Sequence, residues 1–150
     1  MKIITVNRKA FHDYEILDKL EAGMVLTGSE VKSIREGRVN LKDSYVDIRN
    51  GEAFLINSHI SQYPNAIHNN HEPERERKLL LHKREIKKLE QKVKNKGVSI
   101  IPLKMYFNLK GYIKLEIGIA KGKRAYEKRQ KIKERDIIRD MDRELKRFKN

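Results

Sequence analysis

Histidines, serines and carboxylates are the residues from which a metal or hydrolytic centre could be built. His68-Asn-Asn-His71 has a ligand-like spacing, with His59 and His82 elsewhere, but the chain has no cysteine and no paired carboxylate motif to complete a zinc set. Solvated loop histidines are the expectation. Ser44 and Ser58 sit in no strand–turn–helix nucleophile context. Glu15, Glu21 and Glu30 could serve as acid or base, yet no motif ties two of them together. Gly118-Ile-Ala-Lys-Gly122-Lys123-Arg124 approaches a phosphate-binding loop and fails it: three residues separate the glycines where four are needed, and Arg follows Lys in place of a magnesium-holding Ser or Thr. These residues predict a chain that is not an enzyme and carries no metal or cofactor.

Cations offer more. Of a formal net charge of +14 over 150 residues, residues 75–96 supply ten Lys/Arg against three Asp/Glu, and residues 121–150 supply thirteen against six. Each segment is +7, so everything else sums to zero. Charge gathered in two places, with a pI near 9.9, points to a polyanion, with RNA ahead of an acidic membrane surface. In the first segment Arg75-Glu-Arg77-Lys-Leu-Leu-Leu-His82-Lys-Arg84 sets cations around a leucine run. Either this is an amphipathic helix with a solvated lysine face, or its cations follow an RNA backbone while apolar side chains stack on unpaired bases. The second segment has only a narrow apolar stripe at Ile137 or Ile138, Met141, Leu145 and Phe148. Such a stripe does not offset the entropy of ordering thirty residues, so the tail is expected to be mobile alone and to fold on its partner.

The elements that would position these groups follow from periodicity. Residues 1–12 read as an unpatterned lead-in. Tyr14–Leu20 and Met24–Leu26 read as extended, broken at Ala22-Gly23. Thr27-Gly-Ser-Glu30 is a capping box that starts a helix over 28–36, with Gly37 as its stop. Asn50-Gly51 predicts a hairpin between strands 44–49 and 52–60, with Phe54, Ile56 and Ile60 on one face. Residues 61–76 form a loop. A helix is expected from Lys78 to Lys96 with Ile86, Leu89 and Val93 inward. Strands follow over 99–107, with Ile101, Leu103, Met105 and Phe107 on one side, and over 112–120, with Ile113, Leu115, Ile117 and Ile119 on one side and Lys114 and Glu116 opposite. The sum predicts a mainly β fold: a closed or nearly closed antiparallel six-stranded OB-like barrel with two or three helices and a basic C-terminal tail. The expected division is a body over 1–121 and a tail over 122–150. No signal peptide or apolar span is present, so a soluble, intracellular protein is expected.

Five blocks, NRKAFHDYEI, EAGMVLTGSEVKSIREGRVNLKDSYV, GEAFLINSHI, ERERKLLLHKREI and IGIAKGKRAYEKRQ, together resemble the small protein B family, the transfer-messenger-RNA-binding proteins of bacteria. The blocks run in order from about Asn7 to Arg135. The resemblance implies a cytoplasmic, monomeric, non-catalytic factor of ribosome rescue by trans-translation. An OB-like body grips the tRNA-like domain of the RNA. A tail that is disordered when free becomes helical on the ribosome, in the mRNA channel and at the decoding centre of the small-subunit rRNA, so that the protein imitates an anticodon stem.

Carried over residue by residue, the family's RNA contacts fall on Glu21, Leu80, His82 and Lys114, and Lys78 of the basic stretch joins them. Relatives often carry Asn where His82 stands. The ribosome-binding tail comprises Gly122, Lys123, Arg124, Tyr126, Glu127, Lys128, Arg129, Lys131, Lys133 and Arg135. The family's Gly-Lys-Lys and Asp-Lys-Arg correspond to Gly122-Lys123-Arg124 and Glu127-Lys128-Arg129. Ile138, Met141 and Leu145 are added from their spacing alone. A general single-strand RNA or ribosome-assembly protein is the competing expectation, and it predicts affinity that follows RNA length and salt rather than one folded RNA.

Overall fold

Alternating apolar residues late in the chain form the spine of the sheet. In the computed structural model, which describes residues 1–66 and 69–123, the elements in order are β1 (Lys2–Val6), α1 (Arg8–Asp13), β2 (Tyr14–Met24), α2 (Gly28–Arg35), β3 (Val39–Asn40), β4 (Tyr45–Arg49), β5 (Glu52–Ile56), β6 (His59–Ile60), β7 (Arg77–Leu80), α3 (Lys83–Val93), β8 (Val98–Phe107) and β9 (Ile113–Gly122). β9 lies between β8 and β2, and the seven-stranded sheet runs β1-β8-β9-β2-β7-β5-β4 with every pair antiparallel. β3 and β6 form a separate two-stranded ribbon.

A mainly β, antiparallel fold with helices matches expectation, and three helices are described. The six-stranded closed barrel does not. The sheet curls enough for β4 to come against β8, but those strands do not pair and the ladder ends at β1 and β4. Two segments account for the extra strands. The presumed lead-in supplies β1, which adds to the free edge of β8, and Asn7 then starts α1. The Asn7 side chain accepts from the Ala10 N–H at 3.3 Å and donates to the carbonyls of Leu41 and Pro102 at 3.2 and 2.9 Å. The second is β7, where a helix was expected: Arg77 and Leu79 are buried while Lys78 and Leu80 are exposed, a period of two rather than 3.6.

Several local readings hold. The Thr27 hydroxyl accepts from the Glu30 N–H at 3.3 Å, and the Glu30 carboxylate accepts from the Thr27 N–H at 2.8 Å, a closed capping box. Asn50 and Gly51 both take positive φ, 52° and 74°, as a two-residue hairpin turn of this type requires. Ile113, Leu115, Ile117 and Ile119 share the main core with Ala22, Leu55, Leu79, Leu89, Ile100 and Met105.

Four details differ. β2 runs unbroken through Ala22 and Gly23, which pair with Leu115 and Lys114. The expected strand 52–60 breaks at Asn57, whose φ is +64°, and its core face is Ala53 and Leu55 rather than Phe54 and Ile56. In β8 a register shift between Pro102 and Lys104 reverses the alternation. Ile101 and Leu103 therefore pack in a small cluster with Ala10 and Ala120, whereas Met105 joins the main core. Val93, expected to point inward at the end of α3, is 38% exposed.

Candidate nucleic-acid interface

Directly opposed residues in antiparallel strands project from the same face of a sheet. The register therefore lays one row across four strands: Tyr106 on β8, Lys114 on β9, Gly23 on β2 and Leu80 on β7. The neighbouring row on that face is Lys104, Glu116 and Glu21. Lys78 precedes Leu80 by two residues and shares its side, and the chain then turns through His82 into α3. As a result Glu21, Lys78, Leu80, His82 and Lys114 line one concavity of about 590 Å³, along with Gly23, Leu79, Leu81 and Ile86.

Leu80 is 54% exposed, a large apolar side chain in a charged surround. Gly23 makes its position possible: a Cβ there would stand 3.2 Å from the Leu80 Cβ. Lys78 pairs with Glu52 at 3.3 Å, while Lys114 has no ion-pair partner among the described residues. Glu116 is held by Lys104 at 3.4 Å and Lys19 at 3.6 Å. Glu21 accepts a hydrogen bond from the buried Tyr106 hydroxyl. Beside the concavity, α3 exposes Lys83, Arg84, Lys87, Lys88 and Lys92. Its first turn is tied down where the His82 N–H donates to the Glu85 carboxylate at 2.9 Å.

Not every cation of the basic stretch faces outward. Arg77 is fully buried and donates from Nε to Glu30 at 2.6 Å, and from its terminal nitrogens to the carbonyls of Ser58 at 2.9 Å and Pro73 at 3.0 Å. Arg75 donates to the other Glu30 oxygen at 2.6 Å. Burial alone would raise the Glu30 pKa; bonds from Arg75, the Thr27 N–H and Arg77 reverse this and bring it to about 2. Burial also lowers the Arg77 pKa, but from so far above neutrality that the guanidinium stays charged. These two arginines hold residues 72–76 and β7 against α2, so the charge of residues 75–96 divides between structure and surface.

Among the other predicted residues, His71 is not a solvated loop histidine. It is buried, with Nε2 donating to the Ile60 carbonyl at 2.8 Å and Nδ1 bonded to the Ser29 hydroxyl at 2.8 Å. His68 lies outside the described residues. Gly122 closes β9 opposite Tyr14, and its N–H donates to the Gly97 carbonyl at 3.2 Å. The Lys123 N–H donates to the Asp13 carbonyl at 3.0 Å. Arg124, Tyr126, Glu127, Lys128, Arg129, Lys131, Lys133, Arg135, Ile138, Met141 and Leu145 lie outside the described residues. Gly23, Lys104, Tyr106 and Glu116 belong to the same face and were not predicted as site residues. The pairing of alternate residues on the last strand was the signal for Glu116; alternation also set Tyr106 opposite Met105, but its partner Glu21 lies 85 residues away and no local signal joins them.

The family model described as SmpB protein matches residues 4–147. Among curated relatives, the SsrA-binding protein of Syntrophobacter fumaroxidans is 56% identical over 146 residues, covering 97% of this chain and 90% of the relative. That of Enterococcus hirae is 57% identical over 147 residues, covering 98% and 95%. That of Thermosipho africanus is 54% identical over 147 residues, covering 98% and 99%. A chain from a solved structure described as "tmRNA-SmpB: a journey to the center of the bacterial ribosome" superposes with a TM-score of 0.69 at 48% identity, covering 81% of this chain and 85% of that one.

Proposed function

The chain belongs to the SmpB protein family, and from that premise we propose that it binds the tRNA-like domain of transfer-messenger RNA and delivers it to stalled ribosomes for trans-translation. The observation that carries the reading is the convergence of Glu21, Lys78, Leu80, His82 and Lys114 on one concavity. Lys114 and Lys78 supply phosphate contacts, and Leu80 and the His82 ring pack on bases exposed by the folded RNA. Glu21 accepts from a base or ribose donor, because a carboxylate cannot gain from phosphate. The lysines of α3 add the salt-dependent share. The curl that brings β4 against β8 supports an OB-like body. The basic segment 122–150 is the ribosome-facing tail, disordered when free and helical in the mRNA channel, where it stands in for an anticodon stem. The protein acts as a non-catalytic, cytoplasmic factor, and among the described residues no helix is long and apolar enough to cross a membrane.

Titration of the full chain against folded transfer-messenger RNA, with an unrelated structured RNA as competitor, tests this reading. Leu80→Ala should weaken binding by about five- to 150-fold, since loss of one apolar or stacking contact to a base removes about 1–3 kcal/mol. Lys114→Ala should lower the slope of log affinity against log salt by about one and weaken all RNAs alike. Equal affinity of the unsubstituted chain for both RNAs would sink the proposal.

Gly23→Ala tests the platform under Leu80. The added methyl meets Leu80 at 3.2 Å, and the exposed side chain can yield by lifting outward. The melting temperature should therefore change little, while affinity for the folded RNA falls on the order of fivefold, about 1 kcal/mol of misplaced contact. A variant that binds normally would show that the position of Leu80 does not matter.

A further inference from the structure

Glu21 stands where a carboxylate should be hard to keep still. Its direct cross-strand partner is Glu116, and like charges directly opposed on a sheet repel. Glu116 is drawn aside by Lys104 and Lys19, and no cation pairs with Glu21 among the described residues. What holds Glu21 is Tyr106. From its place opposite Lys114, the tyrosine reaches over β9, between Lys114 and Glu116, and donates its hydroxyl to Oε2 of Glu21. The ring is 4% exposed and lies under the Lys104 ammonium, 5.8 Å from the ring centre. Burial, and then the bond to Glu21, push the Tyr106 pKa up, so the hydroxyl remains a donor across the working pH range.

We infer that Tyr106 is the positioning residue of the RNA site: it fixes the Glu21 carboxylate through Oε2 and leaves Oε1 presented to a hydrogen-bond donor of the RNA. The inference rests on the reading that this face meets RNA, and it adds a residue that the family motifs around Glu21, Leu80 and Lys114 do not include. A carboxylate held in this way accepts from amino, imino or 2′-hydroxyl groups and repels phosphate. It therefore acts as a filter against generic polyanion binding, which the surrounding lysines alone would allow. A mobile Glu21 would turn away from the incoming backbone and lose that discrimination.

A double-mutant cycle on the full chain tests the role, with folded transfer-messenger RNA and single-stranded poly(U) as the two probes. Tyr106→Phe keeps the ring beneath Lys104 and removes only the hydroxyl. It should weaken binding of the folded RNA roughly tenfold, as expected for a lost hydrogen bond to a charged group, and tighten poly(U) binding, because a freed carboxylate no longer turns a generic polyanion away. Glu21→Ala should weaken the folded RNA at least as much. In the Glu21→Ala background Tyr106→Phe should then have no further effect, because the residue acts only through the carboxylate. Equal losses from Tyr106→Phe in both backgrounds, or an equal loss with poly(U), would assign the tyrosine a merely structural role and overturn the inference. Unchanged binding by Glu21→Ala would remove the underlying reading of the face, and the inference with it.

Discussion

Glu30→Gln should cost this protein about 3–5 kcal/mol of stability at neutral pH, the usual penalty for breaking a buried ion pair from one side. Glu30 and Arg77 are both fully buried and meet at 2.6 Å, with Arg75 on the second carboxylate oxygen at the same distance. Glutamine keeps the shape and leaves Arg77 as an interior charge without a counter-ion. The pH dependence carries the same information. Glu30 titrates near 2 in the folded chain against an ordinary 4.5, so folding is linked to its ionisation by about 3 kcal/mol. Because the folded pKa is the lower one, that contribution is complete above about pH 4.5 and is lost as pH falls through about 2. Denaturant unfolding of both proteins from pH 7 to pH 2 would check this. The unsubstituted chain should lose stability in that acid window, and the glutamine variant should lack this component. Identical pH profiles would mean that Glu30 is not the titrating group. The functional consequence follows from Arg77 being the first residue of β7: the strand that presents Lys78 and Leu80 is anchored at its start by this pair.

Local signals were legible in the sequence wherever the residues that decide a conformation are near neighbours. The Thr27–Glu30 capping box, the Asn50-Gly51 turn and the alternation from Ile113 to Ile119 all belong to that kind. Arg77 does not. Nothing in RERKLLLHKRE says that Arg77 turns inward, because its counter-ion Glu30 lies 47 residues earlier. Without that partner, leucines followed by a lysine-rich amphipathic run read as one helix, and β7 disappeared into it. β1 was invisible for a related reason, since a short strand is stabilised by the edge of β8 rather than by its own pattern. The bulge near Leu103 hid a whole face of β8 by shifting the period of two by one residue. At the site, alternation placed Lys114 and Glu116 opposite the apolar side of the last strand. Leu80, His82 and Glu21 came from the family resemblance, and pairing in space supplied Gly23 and Tyr106.

Ending the chain at Lys123 should leave RNA recognition in place and reduce peptide tagging on stalled ribosomes to background. The cut belongs after Lys123 because β9 runs through Gly122, which pairs with Tyr14, and the Lys123 N–H still donates to Asp13. A shorter chain would remove hydrogen bonds from the sheet and confuse unfolding with loss of function. Beyond the cut lie eleven Lys/Arg and six Asp/Glu, so some non-specific, salt-dependent affinity will go with them. Preference for folded transfer-messenger RNA over an unrelated RNA should survive, because Glu21 and Leu80 remain. The geometry of β9 is the reason to expect two separate tasks. Lys114 stands near its start and Gly122 at its end, eight residues apart, or roughly 26 Å at about 3.3 Å per residue. On the proposed reading, one end of a single strand serves the RNA and the other end leads toward the segment that serves the ribosome. Tagging in a reconstituted translation reaction stalled on an mRNA without a stop codon measures the second task, with RNA titration of the same preparation as the control. Tagging close to that of the full chain would show that the body alone satisfies the ribosome. Loss of the RNA preference together with tagging would place recognition in the tail and undo the assignment of the concavity.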